Sequence, residues 1–536
     1  MSENKDNPFN SPPEAVQARR QLDDAIRLLQ TGRVAEAQNA TREILGLHPE
    51  YVKALTTLGQ AYLVELNHSA ALPCFVRASM LSPDEPGILL QLAQVYFGLG
   101  SNDMARQTAE HVLELGPDES QATGAHRLLG QVFRQSADYD KAIAHLTKGC
   151  STESDSSDTA LLLGACRLEN GQAKEAEAAF SAALENSSSA LDQAEALYAL
   201  SRVSGAARAK TLLSEIDALE SNAPEFDSEG DAQAFAANIN FGRAELLDRL
   251  DEHEDAWQAL ETANAPLDAV YSQARRDMQQ SDAYTIERAE GWIFGGPPMI
   301  EPGKKVPVSL LLLGPCQSGK SALERLIGTL DGVERGYEHE LVQDSARETA
   351  ALNSFLPLSY PGQLPTSVHS QFTEIYSRRA VSRARGAKIL TCTHPELIPD
   401  LGRIGETVPK LKVIFVDRDA DDTALRIFGK LYPAGTNPFA YEVAAIYQHL
   451  ESYSRLSDAW SQALGRMAMR VAYEDVVSDP KATLERVATF CELDASKTKL
   501  PDLGDGRGCA EPYRDKLERA RSGAIAPLSG WAVPEL

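Results

Sequence analysis

Pro49, Pro83 and Pro117 stand 34 residues apart, and the residues between them repeat in register: Leu58-Gly59, Tyr62, Ala71, Phe75 and Ala78 return as Leu92-Ala93, Tyr96 and Ala105. A period of this length is one pair of antiparallel helices. Such a pair cannot bury its apolar face alone, so successive pairs must stack. Small residues let the two helices of a pair approach, large ones fill the space between pairs, and proline closes each second helix. After a short slip the pattern resumes at Leu129-Gly130, Phe133 and Ala142, then at Leu163-Gly164, Ala176, Phe180 and Ala183. Less regular helices from Leu197 to Leu219, a loop over Ser221–Gly230 and a last pair, Phe241–Leu250 with Asp255–Leu260, bring the expected total to six or seven hairpins.

These positions resemble the tetratricopeptide repeat. The resemblance implies an all-α solenoid over residues 19–295, behind a disordered tail at 1–18, that binds a protein or peptide partner or holds a homodimer together. Single ligand residues do not follow, because large apolar residues in a solenoid are stacking core more often than pocket. The formal net charge of −25 is lopsided: residues 1–300 hold 23 Lys and Arg against 46 Asp and Glu, and residues 301–536 hold 29 against 31. An acidic first half repels nucleic acid and anionic membrane and tolerates basic partners, and it equally describes a plain solvated helical surface. No run approaches the roughly 18 consecutive apolar residues of a membrane span, and the polar start at Met1 is unlike an export signal. The seven cysteines are scattered without a C-x-x-C pair, which predicts neither a disulfide framework nor a metal site and suits the cytoplasm.

Between 295 and 305 the pattern changes to turn residues, and from about 300 to 500 it is α/β, with a C-terminal extension at 501–536. The apolar run Leu310–Leu313 breaks at Gly314-Pro-Cys-Gln317-Ser318-Gly319-Lys320-Ser321, with the spacing G-x-x-x-x-G-K-S. Ala322–Ile327 then resumes at helical spacing. Strand, loop and helix in this order surround an anion with backbone N–H groups, to which Lys320 adds a charge and Ser321 a donor. Apolar runs at Lys388–Cys392 and Leu411–Val416, separated by helical stretches, predict further parallel strands of a P-loop-type sheet. Their C-terminal ends bring the Gly314 loop, Thr393-His394 and Asp417-Arg418-Asp419 to one edge. One reading makes this an NTPase or kinase, with Asp417 holding Mg²⁺ at the end of its strand.

The other reading rests on a resemblance to sulfotransferases that use 3′-phosphoadenosine 5′-phosphosulfate (PAPS), especially the protein-tyrosine-sulfotransferase-like ones preceded by tetratricopeptide repeats. Gly314–Ser321 looks like the family's G-x-P-[RK]-S-G-T-T loop, which implies that it binds the 5′-phosphosulfate. Arg418-Asp-Ala-Asp-Asp422-Thr-Ala-Leu-Arg426 is similar to the R-x-x-x-D-x-x-x-S stretch that binds the 3′-phosphate. Asn437–Tyr441, the helix with Tyr447, Tyr453 and Trp460, and Tyr473-Glu474-Asp475 through Pro480 to Leu493 also match. The resemblance implies transfer of a sulfuryl group from PAPS to a hydroxyl or amine, with no metal needed. Binding falls to Gly314, Gln317, Ser318, Gly319, Lys320, Ser321, Arg418 and Arg426, with Tyr473 stacking on the adenine. The catalytic candidates are Lys320 for the developing charge, and His394 or Glu338 as the base. Cys392-Thr-His394 resembles the K-T-H segment of small-molecule sulfotransferases, and Glu338 lies where protein-tyrosine sulfotransferases carry a glutamate.

Departures qualify the match. Gln317 replaces a basic residue, Arg426 a serine, and Asp421 a position that is often basic. Gly506-Arg507-Gly508 does not reproduce the later cofactor element. These changes leave a second outcome, a weakened domain serving as scaffold beside a partner-binding repeat array. Arg378, Arg379, Arg383 and Arg385 read as a solvated helix face meeting acidic neighbours such as the repeat domain, and no base-reading motif supports nucleic-acid binding.

Overall fold

The computed structural model describes residues 13–136, 138–150, 157–226, 228–298, 305–353, 364–495 and 499–522. The expected tail at 1–18 lies outside them up to residue 12, and a helix already begins at Pro13. The turn-rich switch at 295–305 lies outside them over 299–304, as does the end of the C-terminal extension from 523. No described helix is long and apolar enough to cross a membrane. The chain forms two compact units, Met1–Arg134 with Asp138–Ser187, and Gln135–Ala137 with Ser188–Leu536.

The first unit carries helices α1 (Pro13–Gln30) to α10 (Ala173–Glu185), paired as five hairpins. Pro49, Pro83 and Pro117 follow the ends of α2 (Val34–Leu47), α4 (His68–Leu81) and α6 (Asn102–Glu114), as the period predicts. Glycine sets the approach within a hairpin. A Cβ on Gly59 of α3 (Val52–Val64) would sit 2.6 Å from the Phe75 ring, and one on Gly164 of α9 (Ser157–Glu169) 2.3 Å from Phe180. Between hairpins the large residues interlock, Phe75 with Leu92 and Val95, and Leu129 and Leu146 of one hairpin with Leu163 of the next.

The second unit opens with α11 (Ala190–Ser201), α12 (Ala206–Ser221), α13 (Glu229–Asp248) and α14 (His253–Glu290), two further hairpins. A five-stranded parallel sheet follows, in the order β2-β3-β1-β4-β5. Its strands are β1 (Val308–Leu313), β2 (Val333–Glu334), β3 (Ile389–Cys392), β4 (Leu411–Asp417) and β5 (Ala468–Ala472). Leu311 pairs with both Cys392 and Val413, which fixes the register of the centre. The central strands β1, β3 and β4 are mostly apolar because both faces are covered. Leu311, Leu313, Leu390, Val413 and Phe415 face a core with α16 (Leu341–Leu352), α17 (His369–Ala384), α18 (Leu401–Thr407) and α20 (Val443–Leu464). Leu310, Leu312, Ile389, Ile414 and Val416 face α15 (Lys320–Ile327) and α22 (Pro480–Cys491).

A third core joins the hairpin α13–α14 to the sheet's own helices, α19 (Ala420–Phe428) and α20, and to the C-terminal α23 (Arg514–Ser522): Phe241, Trp257, Phe428 and Tyr513 meet there. Polar ties reinforce it. Asn264 donates to the Phe428 carbonyl at 3.0 Å, and Tyr513 donates to Asp248 at 2.6 Å. Since all five strands run the same way, Gly314, Thr393, Arg418 and Tyr473 leave the sheet at one edge.

Candidate functional site

The loop after β1 is shaped by its glycines. A Cβ on Gly314 would meet Ser318 Oγ at 2.4 Å and the Val416 carbonyl at 2.7 Å. Gln317 and Gly319 both take left-handed backbone, with φ of 64° and 92°. Left-handed backbone at these two positions, in line with the start of α15, is the pattern of an anion-binding concavity, although the Ser318 N–H is taken by the Pro315 carbonyl at 3.3 Å. Lys320 folds back across it, Nζ donating to the carbonyls of Gly314 at 2.6 Å and Pro315 at 3.2 Å. Burial lowers the Lys320 pKa, opposed by the neighbouring Cys316 and Glu338. Ser318 is buried, and its hydroxyl has no partner among the described residues. Ser321 is exposed on the first turn of α15.

At the end of β4 the sequence-predicted cations divide into two roles. The Arg418 side chain is only 3% exposed. It donates to the Gln317 carbonyl at 3.0 Å and to the Gly506 carbonyl, and its guanidinium lies 4.3 Å over the Tyr473 ring. Its Nε has no partner among the described residues. Burial and the nearby Arg426 lower its pKa. Arg426 is exposed, and no hydrogen bond or ion pair engages it among the described residues. A Cβ on Gly506 would touch its Nη2 at 2.3 Å. Two guanidinium groups beside one glycine, one of them unpaired, make a positive corner able to take an anion.

Tyr473 and Asp422 tie the loops around this corner together. Tyr473, expected to stack on adenine, is 6% exposed, with its ring against Gly319 and under Arg418, and its hydroxyl accepts the Gly506 N–H at 3.1 Å. It holds the loops together. The segment around Gly506-Arg507-Gly508 does return to the site: Asp422, 3% exposed, accepts the N–H groups of Gly508 at 2.7 Å and Ala510 at 2.9 Å. Arg507 pairs with Asp505 at 2.7 Å and holds that carboxyl down at about 2. Asp421 accepts the Tyr447 hydroxyl at 2.6 Å. On α17, Arg378 and Arg379 both pair with an acidic neighbour, Glu348 of α16.

Of the two candidate bases, Glu338 acts on the charge of Lys320 and His394 on that of the buried His339. Glu338 is exposed and makes no hydrogen bond among the described residues. His394 caps the 3₁₀ segment Pro395–Asp400, its Nδ1 accepting the Glu396 N–H at 3.3 Å. Glu324, absent from the sequence-derived site, sets where Glu338 stands. Fully buried on α15, it accepts the Tyr337 N–H at 2.9 Å and the Thr391 hydroxyl at 2.5 Å. Thr391 in turn accepts the Gly336 N–H at 3.0 Å, and Tyr337 accepts the Thr393 N–H at 2.7 Å. A Cβ on Gly336 would lie 2.2 Å from the Thr391 carbonyl. A charged residue on the apolar-periodic helix after the loop was the available signal for Glu324.

Asp417, the magnesium ligand of the NTPase reading, is held bidentately by Arg470 at 2.7 and 2.8 Å. Among the described residues no group of three or more His, Cys, Asp and Glu could hold a metal ion.

A family model described as "Sulfotransferase family" matches residues 314–497, and tetratricopeptide-repeat models match residues 86–119 and 127–190. Among solved structures, a thermophilic tetratricopeptide-repeat protein of Thermus thermophilus is 22% identical with a TM-score of 0.28, covering 32% of this chain and 91% of that one. The MamA structure from Desulfovibrio magneticus RS-1 is 18% identical with a TM-score of 0.29, covering 32% and 95%. YrrB, titled as a tetratricopeptide-repeat protein with an unusual peptide-binding site, is 15% identical with a TM-score of 0.27, covering 32% and 92%. A search of curated proteins gives no match.

Proposed function

With a sulfotransferase-family domain at residues 314–497 behind tetratricopeptide repeats, this chain is a repeat-containing sulfotransferase-family protein, and we propose that it moves a sulfuryl group from PAPS to a hydroxyl or amine acceptor. The observation that carries the reading is the pairing of two anion sites. The loop at Gly314–Lys320 would take one anionic end of such a donor, and the corner of Arg418 and unpaired Arg426 the other. The partnerless Ser318 Oγ and Arg418 Nε fit a ligand with anionic oxygens at both ends. A single-loop NTPase has no use for the second corner, and Asp417 is committed to Arg470.

When bound, PAPS supplies the sulfuryl group, and 3′-phosphoadenosine 5′-phosphate is the leaving group. Lys320 and the loop amides stabilise the charge that spreads over the transferring oxygens, and the ammonium exchanges the carbonyls of Gly314 and Pro315 for them. The Glu338 carboxylate, close enough to Lys320 to act on its charge, takes the acceptor's proton. Tyr473, Asp422 and Glu324 hold the loops in place. The repeats bind a protein or peptide, partner or acceptor. Seven free cysteines support a cytoplasmic location.

Gln317 brings no charge to the loop, and Arg418 already holds its carbonyl. That observation favours a second reading, a weakened transferase acting as a scaffold. Calorimetry with 3′-phosphoadenosine 5′-phosphate, then with ATP and Mg²⁺, separates these from the NTPase. Micromolar binding of the first with PAPS turnover lost in Lys320→Ala supports the enzyme. Binding without turnover supports the scaffold, and preference for Mg·ATP overturns both.

A further inference from the structure

Helix α11, long before the sheet in sequence, ends beside the helix that carries Arg426. Its Tyr198 packs into the third core with Leu425 and Phe428 of α19, and the Tyr198 hydroxyl accepts the Leu431 N–H at 3.2 Å. Arg202 stands one turn beyond Tyr198, with its guanidinium 5.9 Å over that ring, and Arg426 stands next to Leu425. Both arginines therefore border one packed seam. Arg249 of α13 fixes the end of α11, donating to the carbonyls of Ser204 at 2.7 Å and Arg202 at 3.0 Å, and it pairs with Glu245 at 2.9 Å.

Glu245 is where the two meet. Burial raises its pKa, and after Arg249 and Asp248 the charges that act on it are those of Arg202 and Arg426. Its side chain is nevertheless 40% exposed, so it lines a recess open to solvent rather than a closed interior. The charges around this recess do not cancel. Glu245 is taken by Arg249, and Asp248 accepts the Tyr513 hydroxyl at 2.6 Å with His253 Nδ1 3.3 Å away. Arg202 and Arg426 are both exposed, and no hydrogen bond or ion pair engages either side chain among the described residues. A solvated surface arginine would be free to swing away, whereas Arg202 is anchored through its backbone by Arg249 and through its guanidinium by the Tyr198 ring. Two guanidinium groups held on either side of one paired carboxyl repel each other, and a phosphate between them relieves that repulsion.

We propose that Arg202 is a donor-binding residue: with Arg418 and Arg426 it completes a three-arginine corner around the 3′-phosphate, so that the helical hairpins ahead of the sheet form part of the donor site. This rests on the reading that the donor is PAPS.

The test is calorimetry on the full chain with 3′-phosphoadenosine 5′-phosphate and with adenosine 5′-phosphate, which lacks the 3′-phosphate. Arg202→Ala should bind the first about tenfold more weakly, the loss of one charge-assisted hydrogen bond, and the second unchanged. Its melting temperature should move little, and Arg202→Lys should recover part of the affinity. If the parent binds the 3′-phosphate compound more tightly and Arg202→Ala binds it equally well, the proposal is overturned and the PAPS reading stands. An equal loss for both nucleotides also overturns it, since that would mark a structural role. A parent that binds neither nucleotide, or binds the two alike, overturns the PAPS reading and the proposal with it.

Discussion

The carboxylate of Glu324 lies 2.9 Å from the backbone nitrogen of Tyr337, so a buried side chain on the helix after the anion loop fixes the residue next to Glu338. The same oxygen takes the Thr391 hydroxyl, and its partner oxygen lies 3.6 Å from Arg335. Tyr337 needs this support, because its φ of 51° is left-handed. Glu324→Ala therefore leaves a buried N–H and a hydroxyl unpaired. Stability should fall by about 3 kcal/mol in urea titration. PAPS-dependent kcat should fall on the order of a hundredfold, as expected for a base displaced by about an ångström, with little change in KM for PAPS. Glu324→Gln retains an oxygen for both donors and should restore most of kcat. Equal loss in the two variants would show that the charge, not the position, matters.

Arg418 and Arg426 should separate stability from binding. No hydrogen bond or ion pair engages Arg426 among the described residues, so Arg426→Ala should change the melting temperature little. It should weaken 3′-phosphoadenosine 5′-phosphate by about 1.5–3 kcal/mol, or roughly ten- to a hundredfold. Arg418→Ala removes the tie between Gln317 and Gly506 and uncovers Tyr473, so it should lower both stability and affinity. Calorimetry and thermal melts on the same preparations decide it, and undiminished binding in Arg426→Ala would remove the corner from the site.

The parts of this arrangement that local spacing determines were legible in the sequence. Gly314, Gly319 and Lys320 lie within one turn of chain, where φ and helix start follow from residue type. The repeats likewise announce themselves through Gly59 with Phe75 and Gly164 with Phe180. The rest depends on contacts between distant segments. Asp422 meets Gly508 and Ala510 only after α20, β5 and α22 have packed, so the glycines at 504, 506 and 508 read as a loop without an address. Tyr473 reads as free to stack because nothing local shows Arg418 lying over its ring. The core of Phe241, Trp257, Phe428 and Tyr513 draws on three widely separated stretches, which is why hairpin α13–α14 reads as solenoid although it packs with the sheet domain.

Glu338 and His394 make opposite predictions. If Glu338 takes the acceptor's proton, Glu338→Gln should lower kcat by about 10²–10⁴-fold with 3′-phosphoadenosine 5′-phosphate affinity preserved. His394→Asn keeps an acceptor for the Glu396 N–H that the ring now caps and should cost little. A large loss in His394→Asn with a mild one in Glu338→Gln would reverse the assignment.

Acid should loosen the repeats through a histidine pair. His126 and His145 share a proton between Nδ1 atoms 3.0 Å apart, with Phe133 stacked on His145. The contact needs one donor and one acceptor, so it fails when both rings are protonated. Burial, then His145 and Lys148, lowers the His126 pKa to about 4, and burial with Lys148 and Lys141 lowers that of His145. A histidine whose folded pKa lies below its unfolded value near 6.5 binds a proton first in the unfolded chain. Stability is thus greatest above pH 6.5 and falls as pH drops towards 4, by at most about 1.4 kcal/mol per pH unit for each such group. His339, lowered to about 3 by burial, adds the same trend in the second unit. Urea midpoints followed by circular dichroism between pH 7 and pH 4 should fall steadily. In His126→Gln, which cannot take up the proton, the fall should be shallower, and an unchanged slope would show that the pair does not govern acid stability.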